Sequence, residues 1–283
     1  MEFITLNNGV KMPMLGFGVF QIPEHKAAVQ AVNDALECGY RLIDTAAAYF
    51  NEEAVGEAVS ASGLKRSELF ITTKLWVQDH GYDSTLRAFD TSMRRLKLDV
   101  LDLYLIHKPY GDYYGSWRAM ERLYREGRIR AIGVTSFWSE RLADLFIHNE
   151  IKPQVNQIET NVWLQQHRAH EFMSRHDIVH QAWSPFAEGN NNVFKNGVLQ
   201  QIAAKHDKTT AQVMLRALIQ RNIAVIPKSS HKDRMISNFD IFDFSLDEED
   251  LQNIRKLDTE KSTIYDEMDP EMAISIGSHR IHD

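Results

Sequence analysis

RLIDTAAAYFNEEAVGEAVSASG, residues 41–63, runs from a short apolar segment through a helical pattern to a closing glycine. Strands buried on both faces read as continuous apolar runs, and a glycine just past a helix is a common stop. The stretch is therefore one strand–helix unit. Its strand finishes in a carboxylate, Asp44, and a phenol, Tyr49, follows five positions later. Aspartate is a favoured cap, so Asp44 could simply start the next helix. The rest of the chain decides between capping and chemistry.

The unit recurs without a strict sequence period. Strand-like runs lie at 15–18, 42–45, 69–74, 100–107, 129–135, 154–159, 178–183 and 223–227. Helical patterns such as HKAAVQAVNDALECG (25–39) and YDSTLRAFDTSMRRLKL (82–98) separate them, and Gly39, Gly63 and Gly127 fall where helices should stop. FITL and VKMPML flank Asn7-Asn8-Gly9, a hairpin turn signal. No Gly/Ser/Pro linker divides the chain, so residues 1–283 read as one domain. Eight strand–helix units in one domain point to an α/β fold, a (β/α)8 TIM barrel with an N-terminal β-hairpin. Its site should sit at the C-terminal ends of the strands.

Composition narrows the partners. A net charge of −7 argues against nucleic acid or an anionic membrane as the main partner. No apolar run approaches the ~18 residues of a membrane span, and the first residues show no signal-peptide pattern. The single cysteine, Cys38, has no internal disulfide partner, which suits a reducing, cytoplasmic setting. We expect a monomer acting on a small molecule.

The strand ends carry the chemistry. Asp44 closes the second strand, Lys74 the third and His107 the fourth, with Tyr49 in the loop after the second. In a barrel these ends converge. A lysine at a buried strand end needs a partner, because an isolated charge is costly to desolvate, and Asp44 can supply it. Tyrosine, with a reference pKa near ~10, is a poor acid until a neighbouring ammonium lowers that value. With His107 orienting the reacting oxygen, the set amounts to a general acid for an oxygen gaining negative charge. That suits carbonyl reduction with no covalent nucleophile and no metal.

DTAAAYFNE (44–52), LFITTKLW (69–76), LDLYLIHKP (101–109), IRAIGVTSF (129–137), VNQIE (155–159) and IPKSSHKDR (226–234) together resemble the aldo-keto reductase superfamily. The likeness runs in order from about residue 4 to 260. It is nearest to the bacterial short-loop branch of 2,5-diketo-gluconate and glyoxal-type reductases. The resemblance implies an NADPH-dependent oxidoreductase that reduces aldehydes and ketones, with Asp44, Tyr49, Lys74 and His107 as its catalytic tetrad. It also implies that Thr135, Ser136 and Gln157 hold the nicotinamide carboxamide and that Trp183 stacks on the ring. Ser184 to Phe186 would begin the loop over the pyrophosphate. Lys228, Ser229 and Arg234 would meet the 2′-phosphate, and Asn238 the adenine. A guanidinium beside an ammonium suits such a dianion on independent grounds.

Three positions depart from the family pattern. Thr135-Ser136 stands where Ser-Asn is frequent, Lys108 replaces a tryptophan after His107, and Phe20 replaces another. Candidate substrate-pocket residues are Phe20, Trp76, Tyr110 and Trp163, with Phe186 beside them. Short connections and a tail from about Lys261 should leave a shallow, fairly open pocket suited to small aldehydes, dicarbonyls and keto esters.

Other signals weigh less. GFGVFQ (16–21) lacks the third glycine of a dinucleotide loop. His167, His170, His176 and His180 follow no ligand motif and read as solvated helix-surface residues. The acidic DEED run reads as an exposed helix. A metal-dependent barrel hydrolase would want His-x-His on an early strand, which the chain lacks. A non-catalytic, cofactor-binding regulatory protein of the same fold remains the second alternative, and NADPH oxidation with a simple aldehyde discriminates.

Overall fold

The computed structural model describes residues 1–283. An antiparallel hairpin, β1 (Phe3–Thr5) and β2 (Lys11–Pro13), precedes eight strands. These are β3 (Gly16–Gly18), β4 (Leu42–Asp44), β5 (Phe70–Leu75), β6 (Leu101–Ile106), β7 (Ile129–Thr135), β8 (Val155–Glu159), β9 (Val179–Trp183) and β10 (Ala224–Val225). They pair in parallel and in chain order, each with the next. A parallel bridge between Leu15 and Val225 joins the first strand to the last, with the Val225 amide donating to the Met14 carbonyl at 2.7 Å. The sheet is thus an eight-stranded barrel. β10 is shorter than the apolar run 223–227 because it forms the seam and is bridged at one residue on its β3 side.

Around the sheet run α1 (His25–Glu37), α2 (Glu52–Ala61), α3 (Tyr82–Leu96), α4 (Tyr113–Arg125), α5 (Ser139–Ile147), α6 (His167–Arg175), α7 (Gly197–His206), α8 (Thr210–Gln220), α9 (Lys232–Phe239) and α10 (Glu248–Arg255). A last helix, α11 (Pro270–Ser278), belongs to the C-terminal tail. The acidic run opens α10, but Asp250 within it is buried, holding Lys205 at 2.9 Å and His206 at 2.7 Å. It is therefore a structural anchor, where the charge run alone suggested a solvated face.

Strand periodicity of two decides which residues enter the barrel. Leu42, Phe70, Leu103, Ala131, Val155, Val179 and Ala224 share one apolar cluster, the barrel interior. Residues of the opposite parity, Ile43, Ile71, Tyr104, Ile132, Ile158 and Val225, belong to the larger cluster beneath the helices. Leu6 and Met12 of the hairpin join the interior cluster and close its floor. Asn7 ties the turn down by donating to the Pro153 carbonyl at 3.0 Å. Two residues on from each interior position, toward the C-terminal strand ends, the same inward parity reaches Asp44, Thr72, Leu105, Gly133, Gln157, Gln181 and Ile226. Gly16 of β3 packs closely against β4, where a Cβ would stand 2.3 Å from Leu42 Cδ2.

Candidate active site

The inward parity of the strands delivers polar side chains to the barrel mouth. Counting from Leu42 gives Asp44, from Phe70 gives Lys74, from Leu103 gives His107, and from Val155 gives Gln157. All four are buried. Lys74 Nζ donates to Asp44 Oδ1 at 2.5 Å, to the Thr45 carbonyl at 2.9 Å and to Tyr49 Oη at 3.4 Å. The other Asp44 oxygen accepts from Gln157 Nε2 at 2.9 Å, so the carboxylate is held on both sides. Tyr49 leaves the one-turn helix Ala47–Tyr49, and its ring meets His107 edge-on with centroids 5.5 Å apart. The Trp76 ring also meets the imidazole edge-on, with centroids 5.2 Å apart.

Electrostatics assign the protonation states. Burial works against the Lys74 ammonium, but Asp44 and Tyr49 outweigh it and its pKa is raised. Burial also raises Tyr49; the Lys74 charge and hydrogen bond pull it down, while Asp44 pushes it up again. The net shift is upward. The sequence expectation of a lowered phenol is corrected here: removing the ring from water costs the phenolate more than one partly shared ammonium returns. His107 is held well below the usual histidine range, first by burial, then by Lys74, Lys108 and His80. Tyr49 is therefore a loaded phenol and His107 a neutral imidazole near pH 7. The His107 side chain takes no hydrogen-bond partner within the protein.

These residues open on a cavity of about 720 Å³. Thr135, Ser136, Trp183, Ser184, Lys228 and Arg234 line it, together with Phe20, Trp76 and Phe186. The wall fits the implied cofactor. Lys228 and Arg234 form no ion pair with any carboxylate, so two free cations face the cavity on the β10–α9 connection. Ser184 Oγ is buried without a partner. Gln157 spends both amide hydrogens on Asp44 and Gln181 and leaves its carbonyl oxygen open to a donor. The Thr135 hydroxyl donates to the His107 carbonyl and keeps its lone pairs. Trp183 presents a flat, half-buried ring at the end of β9.

Four residues expected at the site stand outside this wall. Trp163 packs with the apolar cluster between α7, α8 and α10, where its carbonyl accepts from Thr259 at 2.9 Å. Tyr110 is absent from the lining; His80 Nδ1 lies 2.5 Å from its carbonyl, and the chain turns at Gly111. The Ser229 hydroxyl accepts from the His231 amide at 3.0 Å, closing a local turn, and Asn238 is buried on α9. Trp163 and Tyr110 sit in loops, and sequence gives the presence of a loop aromatic but not its direction.

The histidine group also differs from expectation. His180 is buried on β9, its Nε2 2.7 Å from Thr160 Oγ1 and its Nδ1 3.2 Å from His170 Nδ1. It faces α6, not solvent. Its place between Val179 and Gln181 was signal enough, since alternation puts it on the outer, helix-covered face.

The tail corrects the expectation of a shallow pocket and adds residues that sequence reasoning missed. Tyr265, Met272, Ile276 and His279 line the cavity, and Trp76 Nε1 donates to the His279 carbonyl at 2.8 Å. Ser262 donates to Glu159 at 2.6 Å, and Asn190 to the Thr263 carbonyl at 2.9 Å. Lys108, expected only as a lost aromatic, is a buried cation in the wall. None of these long-range contacts has a periodic signal.

The Aldo/keto reductase family model matches residues 14–259. Glyoxal reductase of Bacillus subtilis (strain 168) is 48% identical over 261 residues, spanning 92% of this chain and 94% of that protein. Methylglyoxal reductase DkgA of Escherichia coli (strain K12) is 42% identical, over 91% of this chain and 94% of its own. The crystal structure of Bombyx mori aldo-keto reductase in complex with NADP superposes with a TM-score of 0.89 at 33% identity, covering 96% of each chain.

Proposed function

Because this chain belongs to the aldo/keto reductase family, we propose that Asp44, Tyr49, Lys74 and His107 divide the work of its carbonyl reduction. The chain is an NADPH-dependent oxidoreductase that converts aldehydes and ketones to alcohols. Bound NADPH supplies the hydride for the carbonyl carbon. Tyr49 gives its phenolic proton to the carbonyl oxygen, and the C=O double bond becomes C–OH. Lys74 stabilises the phenolate left behind until water returns the proton. Asp44 keeps Lys74 charged and in place, and the neutral His107 imidazole orients the substrate oxygen.

The observation that carries this reading is the Lys74 ammonium, which bridges Asp44 at 2.5 Å and the Tyr49 hydroxyl at 3.4 Å inside the cavity. For the cofactor we assign Trp183 to the nicotinamide face and Thr135, Ser136 and Gln157 to its carboxamide. Ser184 and Phe186 border the pyrophosphate. Lys228 and Arg234 meet the 2′-phosphate, with Ser229 shaping their turn and Asn238 toward the adenine. Phe20 and Trp76 flank the reacting carbonyl.

The preferred substrates on this reading are small dicarbonyls, with simple aldehydes and keto esters behind them. Two relatives are named for glyoxal and methylglyoxal reduction, and the cavity's aromatic wall offers no second anion site free of its own carboxylate. The net charge of −7 argues against a nucleic-acid partner, and we infer a monomeric, cytoplasmic barrel domain over residues 1–283, the single Cys38 suiting a reducing setting. A carbonyl panel assayed by NADPH oxidation tests the substrate class, and Tyr49→Phe tests the acid. Loss of the general acid should lower kcat by ~10²–10⁴-fold with NADPH binding retained. A variant keeping more than about a tenth of wild-type kcat would remove Tyr49 from that role.

A further inference from the structure

Lys108 is 7% exposed, yet all three of its ammonium hydrogens are in use. They reach Ser136 Oγ at 2.8 Å, Tyr265 Oη at 2.6 Å and Glu267 Oε1 at 2.6 Å. Two of those partners belong to the C-terminal tail, more than 150 residues away along the chain. The ion pair is largely shielded from solvent, its side chains 9% and 12% exposed. One cation therefore ties the end of β7 to the tail across the barrel mouth.

What the clamp holds is a ring. Tyr265 lies within 17° of parallel to Trp183, with centroids 6.1 Å apart. Lys108 Nζ stands at the rim of the gap between them, 5.7 Å from the Trp183 centroid and 5.1 Å from that of Tyr265. Carbon atoms in contact rest at ~3.5 Å, so a third ring between these two needs about 7 Å. The gap is narrower than that. A planar ring can lie between Trp183 and Tyr265 only if Tyr265 shifts outward, and that shift stretches the bonds to Lys108.

We propose that Lys108 is a positioning residue that sets the width of the gap over Trp183 through Tyr265 and Glu267, so that NADPH binds against the clamp. The inference rests on the reading that Trp183 stacks the nicotinamide, and takes it to do so on the face that Tyr265 covers. By linkage, a contact that is stronger in the free protein than in the bound one opposes binding. Weakening it removes part of that opposition.

Two variants loosen the clamp while leaving the stacked rings in place. Glu267→Gln keeps the size and loses the charge, and Tyr265→Phe keeps the ring and loses the hydroxyl. Each should lower the Kd for NADPH by about threefold to tenfold in a titration of cofactor fluorescence, within the worth of one charge-assisted bond. Each should also make the free protein easier for trypsin to cut at Lys261. Structural damage would weaken binding, so tighter binding is the outcome that a merely structural role does not give. Trp183→Ala separates the proposal from the reading beneath it. If that variant binds NADPH more weakly while both clamp variants match wild type or bind worse, the clamp is overturned and the stacking stands. If Trp183→Ala binds NADPH as wild type does, the stacking falls and the clamp with it.

Discussion

Lys74 shows how one residue joins stability to chemistry. Its ammonium is buried, and its three acceptors are a carboxylate, a carbonyl and a phenol. Asp44 does not depend on it alone, since Gln157 supplies a second donor. Lys74→Met would still strip the buried carboxylate of its counter-charge, a loss typically worth ~3–5 kcal/mol. It would also take away the one group that lowers the Tyr49 pKa, leaving burial and Asp44 to raise it further. We expect a lower Tm together with near-complete loss of reduction at pH 7. Full activity in a folded Lys74→Met protein would take lysine out of the mechanism. Asp44, Lys74 and His107 were legible because each stands at or just beyond a strand end, where parity fixes direction; Tyr49 follows on a one-turn helix, and only its place in the loop after β4 marked it. The sign of the Tyr49 shift was not legible, because it depends on how much water the finished cavity excludes.

At the scale of elements, the β10–α9 connection presents two cations to one cavity with no acid to neutralise them. Lys228 follows the seam strand and Arg234 sits in the first turns of α9. A charge-assisted hydrogen bond contributes ~1.5–3 kcal/mol, roughly tenfold to a hundredfold in affinity. Arg234→Ala should therefore weaken NADPH binding by about that factor and leave NADH, which lacks the phosphate, nearly unchanged. Added salt should erode the preference in the parent protein, because a contact open to solvent is screened. Parallel titrations with both cofactors at low and high salt decide it: equal losses for the two would place Arg234 away from the 2′-phosphate.

The whole molecule carries a titration of its own. His107 and His180 are held well below the usual histidine pKa of 6.5, and His80 is lowered too, each chiefly by burial. Below pH 6.5 the unfolded chain takes up protons at these positions and the native protein does not. Their contribution to stability is thus complete above that pH and is lost as pH falls through it. The loss by pH 5 should be on the order of 1–2 kcal/mol for each fully buried imidazole. Thermal melts between pH 7.5 and 5 would show it, and His180→Gln should flatten the dependence by its own share. A His180→Gln protein with the parent's slope would mean that His180 is protonated in the native state after all.

The sequence by itself determined the barrel, the order of its strands and the residues at their mouths. Those follow from local rules: apolar runs of strand length, glycines at helix ends, and an alternation that turns every second side chain inward. Phe70, Thr72 and Lys74 point one way whatever the rest of the chain does. Only the tertiary structure decided where the tail goes, which aromatics reach the cavity and what Lys108 holds. α11 buries none of its residues fully; its short apolar face, with Met272 and Ile276, does not say what it packs on, and its neighbours reach the site across more than 150 positions of chain. Trp163 and Tyr110 lie in loops, where no period fixes direction. A contact between distant segments depends on the closed shape of both, and that shape exists only once the barrel has formed.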